Sequence, residues 1–184
     1  MLAPHPARAH HCSKEGFIMT HRILITAALA AAVSTGALAQ DSATFNYPVL
    51  IPEVALEAAQ AAMHTCRDSG YQVAVAVVDR GGNTQVLLRD RFAGAHTPDT
   101  AVGKAWTAVS FRTNTTELLD ISQPGEPSSG IRDLPGVVIL GGGMLIEQAG
   151  SIVGGIGVSG GPTGEADDAC AKAGIDRIRD KLAL

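Results

Sequence analysis

The stretch VAVAVVDRGGNTQVLLRD, residues 73–90, decides the fold. Val73 to Val78 form an unbroken apolar run, Arg80-Gly81-Gly82-Asn83 supply turn chemistry, and Thr84 to Asp90 return as a second extended run. The pattern predicts a β-hairpin whose first strand is covered on both faces. On its N-terminal side, Pro52 stands where a first helical turn tolerates proline. Ala55, Ala58, Ala59, Ala62 and Cys66 then recur at helical spacing until Ser69-Gly70 ends the run. On its C-terminal side, Ala101, Ala105, Ala108 and Val109 predict a helix over 99–111, capped by Thr97 or Asp99. A short helix follows from Asn114 or Thr115 and ends before Gln123-Pro124; Pro124 to Gly130 is dense in helix and strand breakers and reads as a loop. Val137–Leu140, Met144–Glu147 and the run from Ser151 predict two or three strands with glycine-rich breaks. A last helix opens at Thr163 or Gly164 with Glu165, Asp167 and Asp168 in its first turn. This order is not βαβ alternation, and it predicts an α+β domain with an antiparallel sheet and helices packed on it.

The first part of the 184-residue chain reads differently. From Met19, a short n-region with Arg22 precedes the apolar stretch Ile23–Val33 and the small-residue site Ala37-Leu38-Ala39, the order of a secretory signal cleaved before Gln40. The apolar stretch is too short for a membrane span, which needs ~20 residues. Residues 1–39 are therefore expected to be leader and signal peptide, with translation starting at Met19, 40–51 an arm, and 52–184 the domain. Without residues 1–39 the chain keeps 11 basic and 17 acidic residues, an excess of acid that argues against nucleic acid or an anionic membrane surface as partner. The expected location is periplasmic or secreted.

Candidate chemistry is sparse. Gly157, Ser159, Gly160 and Gly161 immediately precede the last helix, where backbone N–H groups and the helix dipole favour a carboxylate or phosphate; equally they could only form a tight turn. Gly141-Gly142-Gly143 mark either a bulge or a place where a flat ligand meets the backbone. Arg89, Arg91, His96, Lys104 and Arg112 concentrate the cationic and titratable groups, with Thr107 one turn from Lys104, and could clamp an anionic ligand or form a solvated face. Of the two imidazoles beyond residue 39, His64 points away from the alanine face while His96 follows the second strand in a loop, which favours His96. No HExxH, Walker loop, GxGxxG-opened βαβ unit or CxxC is present, and no feature by itself marks an enzyme. Cys66 and Cys170 are the two cysteines left after cleavage. An oxidising compartment and small-residue faces around each allow a disulfide between the first and last helices, the alternative being two small buried thiols.

Four segments taken together, VAVAVVDRGGN, LLRDRFAGAHTPDTAVGKAWTAVSFRTNT, PGVVILGGGMLIEQAGSIVGGIGVSGG and EADDACAKAGI, resemble the GlcG/HbpS haem-binding family, related to the C-terminal domain of PduO-type proteins. The resemblance covers about Pro52 to Leu184. It implies a profilin-like fold with a five-stranded antiparallel sheet and helices on both faces, homo-oligomers, and haem binding in some exported members. With no CxxCH present, any haem would be non-covalent. The ligand-binding set expected on this basis is Arg89, His96, Lys104, Thr107, Arg112, Gly142, Gly143, Ser159 and Gly160. His96 leads His64, Met63, Met144, Tyr71 and Lys104 as a ligand for haem iron. The competing reading is an enzyme or accessory factor acting on a small organic acid or tetrapyrrole, with Lys104 and Arg112 on carboxylates and Asp79 or His96 moving protons.

Overall fold

The structure is a computed structural model and describes residues 43–183, so the expected leader, start and cleavage site lie outside the described residues. Helix α1 (Pro52–Asp68) begins on its proline, carries Glu53 in the first turn and Arg67 in the last, and stops where Gly70 takes a φ of +84°. The hairpin follows as β1 (Ala74–Asp79) and β2 (Thr84–Arg89), its turn closed by Asn83 N–H donating to Asp79 Oδ1 at 2.9 Å. Helices α2 (Thr97–Phe111) and α3 (Thr115–Ile121), a 3-10 turn (Ser129–Asp133), strands β3 (Gly143–Gln148) and β4 (Ser151–Ser159), and helix α4 (Gly164–Leu182) complete the order.

The sheet is antiparallel throughout, in the order β2-β1-β4-β3. Among the described residues it has four strands, so the fifth that the family resemblance implied is not found. Val137–Leu140, read above as extended, forms no strand. Instead Val138 N–H donates to Thr107 Oγ1 at 2.9 Å, and the segment lies across α2, with Val138 Cγ2 where a Cβ on Gly103 would stand. Left-handed glycines at Gly136 (φ +82°) and Gly142 (φ +111°) bound it and turn the chain out of the pleat.

The alternation of β1 shows why it is apolar without a break. Val73, Val75 and Val77 pack with α1 and α4, while Ala74, Ala76 and Val78 pack with α2, so helices cover both faces. The α2 side is the tighter one. A Cβ on Gly157 would lie 2.0 Å from the Ala101 carbonyl oxygen and 2.8 Å from the Ala105 nitrogen, and one on Gly143 would lie 2.5 Å from the Lys104 carbonyl oxygen. Glycine in β4 and at the start of β3 lets the helix backbone rest nearly on the strand backbone.

On the other face the small residues of α1 and α4 meet. A Cβ on Gly174 would fall 2.6 Å from the Ala58 carbonyl oxygen, and Cys66 and Cys170 are joined across the pair with a Cα separation of 5.5 Å. Closing a loop of about a hundred residues contributes at most roughly 4.7 kcal/mol through the unfolded chain.

The glycine contacts make an expected outcome. Gly157→Ala should lower stability by about 3 kcal/mol or more, because backbone rather than a flexible side chain blocks the methyl. Gly130→Ala, with nothing near its Cβ, should change it by less than about 0.5 kcal/mol. Urea denaturation of the two variants checks this, and equal loss would refute the close seating of α2.

Candidate functional site

One end of the sheet holds a cleft of about 360 Å³, where β4 runs out and α2 and α4 begin. From α2 it is lined by His96, Thr100 and Lys104. These residues are four apart, so they form a stripe along the helix, and the rise of 1.5 Å per residue spreads them over about 12 Å. Ala101 and Ala105, one position further round, face the sheet. The opposite wall is the turn from Ser159 to Thr163 with the first residues of α4, and Leu119 and Leu140 supply apolar surface beside it.

Lys104 is only 2% exposed. Its Nζ donates to Asp167 Oδ2 at 2.7 Å and to the Val158 carbonyl oxygen at 2.8 Å. The other carboxylate oxygen of Asp167 accepts from Gly161 N–H at 2.8 Å, so a single buried carboxylate ties α2 to the turn that walls the cleft. Asp168 accepts from Gly142 N–H at 2.6 Å and from the Thr116 hydroxyl, which fastens α3 to the start of α4. The Glu165 carboxyl is held below its ordinary value by its own backbone N–H and by Thr163 at the head of α4.

His96 stands at the N-terminus of α2 and is exposed at the mouth of the cleft. Its ring folds back over Gly94, where a Cβ would meet Cε1 at 2.8 Å, and among the described residues no hydrogen bond holds it. The loop that presents it is anchored at Asp90. Arg67 of α1 grips both Asp90 oxygens, Nε at 2.6 Å and Nη2 at 3.1 Å, and Asp90 also accepts from Arg91 N–H. That guanidinium is the main reason the Asp90 carboxyl lies below its ordinary value. Arg89 donates to the Ala93 carbonyl oxygen in the same loop, and so braces it.

Of the residues expected from sequence, His96, Lys104, Ser159 and Gly160 line the cleft. Thr107 lies on the same helix but is buried under Val138, whose segment ends the stripe beyond Lys104. Arg112 caps α2 two turns further on, with a left-handed φ of 55°, and Arg89 serves the loop, so neither lines the cleft. Gly142 and Gly143 are packing positions: their missing Cβ atoms make room for Val158, Asp167, Thr115 and the Lys104 backbone. Met63 belongs to the main core, against which Met144 and Tyr71 pack; the His64 ring bonds Asp68 at 2.9 Å, and Asp79 is occupied by Asn83. Of the residues that the enzyme reading names, His96 and Lys104 share the cleft, and Arg112 and Asp79 do not line it. Thr100, Thr116, Glu165 and Asp167 line the cleft without having been singled out as binding residues. The four-residue step from His96 to Lys104 signalled Thr100; Asp167 gave no sign beyond the acidic bias of a helix start.

The family model for the haem degrading protein HbpS-like proteins matches residues 50–176. The chain belongs to this HbpS-like family. Its match to the crystal structure of HbpS has a TM-score of 0.69 at 39% identity, covering 73% of this chain and 93% of that one. The crystal structure of the PduOC:heme complex matches with a TM-score of 0.67 at 33% identity, covering 71% and 95%. The corrinoid adenosyltransferase PduO of Salmonella typhimurium is 37% identical over 121 residues, 65% of this chain but 36% of that protein, so this HbpS-like chain spans about a third of it. Among the described residues, no group of three or more His, Cys, Asp or Glu is placed to hold a metal ion, and no helix is long and apolar enough to cross a membrane.

Two outcomes follow from these contacts. Asp167→Ala strands a buried ammonium and should cost about 3–5 kcal/mol in urea denaturation, whereas pairing Asp167→Leu with Lys104→Met should cost clearly less. Because Asp90 is held below its ordinary 3.8, its contribution to stability is complete above that value and is lost as the pH falls through the lowered folded value. The stability difference between the wild type and Asp90→Asn should therefore shrink as the pH is taken below 3.8, and a pH-independent difference would contradict the pairing.

Proposed function

We propose that this chain is an exported haem-binding module, acting in haem handling or haem-linked redox sensing outside the cytoplasm, and that the cleft at the start of α2 is its ligand site. The observation that carries the proposal is the His96 imidazole, unengaged among the described residues and placed at the mouth of a cleft with an ammonium on its floor. Haem needs a donor for iron, apolar surface for the macrocycle and a cation or N–H group for its carboxylates. His96 answers the first need, Leu119, Leu140 and Pro162 the second, and Lys104 the third. A volume of about 360 Å³ in an open cleft lies within the range of small-molecule and cofactor sites.

Haem bound there would supply iron for ligand binding or one-electron chemistry. The chain's own part is to orient it. Gly94 gives the His96 ring its place, Arg67 and Asp90 fix the loop that carries the ring, and the turn at Ser159–Gly161 sets the far wall. Kinship with HbpS and with the haem-bound PduOC domain supports the choice of haem over other anionic tetrapyrroles. The signal-like order of residues 19–39 supports export to the periplasm or beyond, and family resemblance supports a homo-oligomer.

Haemin titration followed through the Soret band tests the proposal. His96→Ala should weaken binding by at least roughly tenfold or shift the band, and His64→Ala should leave both unchanged. Equal behaviour of the two variants would overturn the assignment of His96.

A further inference from the structure

We infer that Lys104 is the carboxylate-reading group of the cleft, so that the site selects tetrapyrroles with a free propionate carboxylate over the same macrocycle esterified. This deepens the haem reading and rests on its choice of ligand class, but it concerns the end of the cleft away from iron.

Lys104 is among the few charged side chains that are nine-tenths buried in the described residues, and it lines the cleft. An ammonium carries three donors. Two are committed, to Asp167 and to the Val158 carbonyl oxygen, which leaves one for the cleft that it floors. The group cannot swing away. Gly142 closes behind it, with Nζ 3.0 Å from where a Cβ would stand, and Asp167 is itself held by Gly161 N–H. Lys104 and Asp167 pair and Glu165 adds a carboxylate at the rim, while the first turns of α2, 15 residues long, and α4, 19 residues long, both open on this cleft and turn the positive ends of their dipoles toward it. A preset ammonium between two helix starts in a low-dielectric wall suits an incoming carboxylate better than a neutral ester. Stability alone gives little reason to keep such a pair, since an apolar pair of similar volume is often as stable.

The test uses iron-free protoporphyrin IX and its dimethyl ester, titrated by fluorescence against the full-length exported protein, so that His96–iron bonding does not enter. Wild type should bind the diacid roughly tenfold or more tightly than the diester. Lys104→Gln should remove most of that preference, weakening the diacid far more than the diester, and His96→Ala should retain the preference. Should Lys104→Gln not fold, the paired Lys104→Met/Asp167→Leu protein must show the same loss. Equal wild-type binding of the two porphyrins, binding of neither, or a preference that survives loss of Lys104 would each overturn the inference. A porphyrin preference without any haemin Soret response would uphold Lys104 and sink the iron assignment to His96. A His96-dependent Soret response without ester discrimination would do the reverse.

Discussion

Helix α2 can lie on the sheet only because β4 and the start of β3 present hydrogen where other strands present a side chain. At Gly157 the space for a Cβ is already filled by the Ala101 carbonyl oxygen, and at Gly143 by that of Lys104. A helix seated that low carries small groups toward the strands, with Ala101 against Ala74 and Ala76 and Ala105 against Val78. Strand β1 turns Val75 and Val77 to the other face, where α1 and α4 stand over a deeper core. Fixing the height of α2 also fixes the reach of Lys104. Its side chain is just long enough to meet the Val158 carbonyl and the Asp167 carboxylate at the end of β4.

The run Gly141-Gly142-Gly143 extends the same device to the other helices. Gly141 lies against Gly164 at the head of α4, Gly142 against Asp167, and Gly143 against Thr115 at the head of α3. Helix starts that would otherwise be kept apart by side chains converge, and their unsatisfied N–H groups have to be met. The chain answers partly with its own oxygens: Asp168 on Gly142, Asp167 on Gly161, Thr163 on Ala166. The cleft is the space left over between elements brought this close, with two helix starts facing it and His96 at its mouth.

The far face holds this arrangement still. The disulfide between Cys66 and Cys170 sits one turn from Asp167 on α4, and Arg67, next to Cys66 on α1, grips the loop that ends at His96. The two helices behind the sheet thus brace both walls of a cleft that neither α1 nor the disulfide touches. Burial of both sulfurs places the link in the core and not at the surface.

Much of this was legible in the sequence because it is local. The unbroken apolar run at 73–78, the turn at Arg80–Asn83, the alanine faces of α1 and α2 and the breakers around them determine the hairpin, the helices and the α+β class. The concentration of cationic and titratable groups between Arg89 and Arg112 also brought out His96 and Lys104, since both fall in one short segment. What spacing could not supply was any relation between distant segments. Val137–Leu140 has a strand-like composition, yet its N–H at Val138 goes to Thr107, so it covers α2 beyond Lys104 and removes Thr107 from the site. Asp167 reads as one of several acids at a helix start, and becomes the partner of Lys104 only because a glycine-lined contact brings together residues 63 positions apart. The sequence by itself determined which elements form and which groups could do chemistry. Only the tertiary structure decided which of those groups share a cleft, because that depends on how closely backbones approach across the sheet, and close approach is set by long-range packing that leaves no period in the chain.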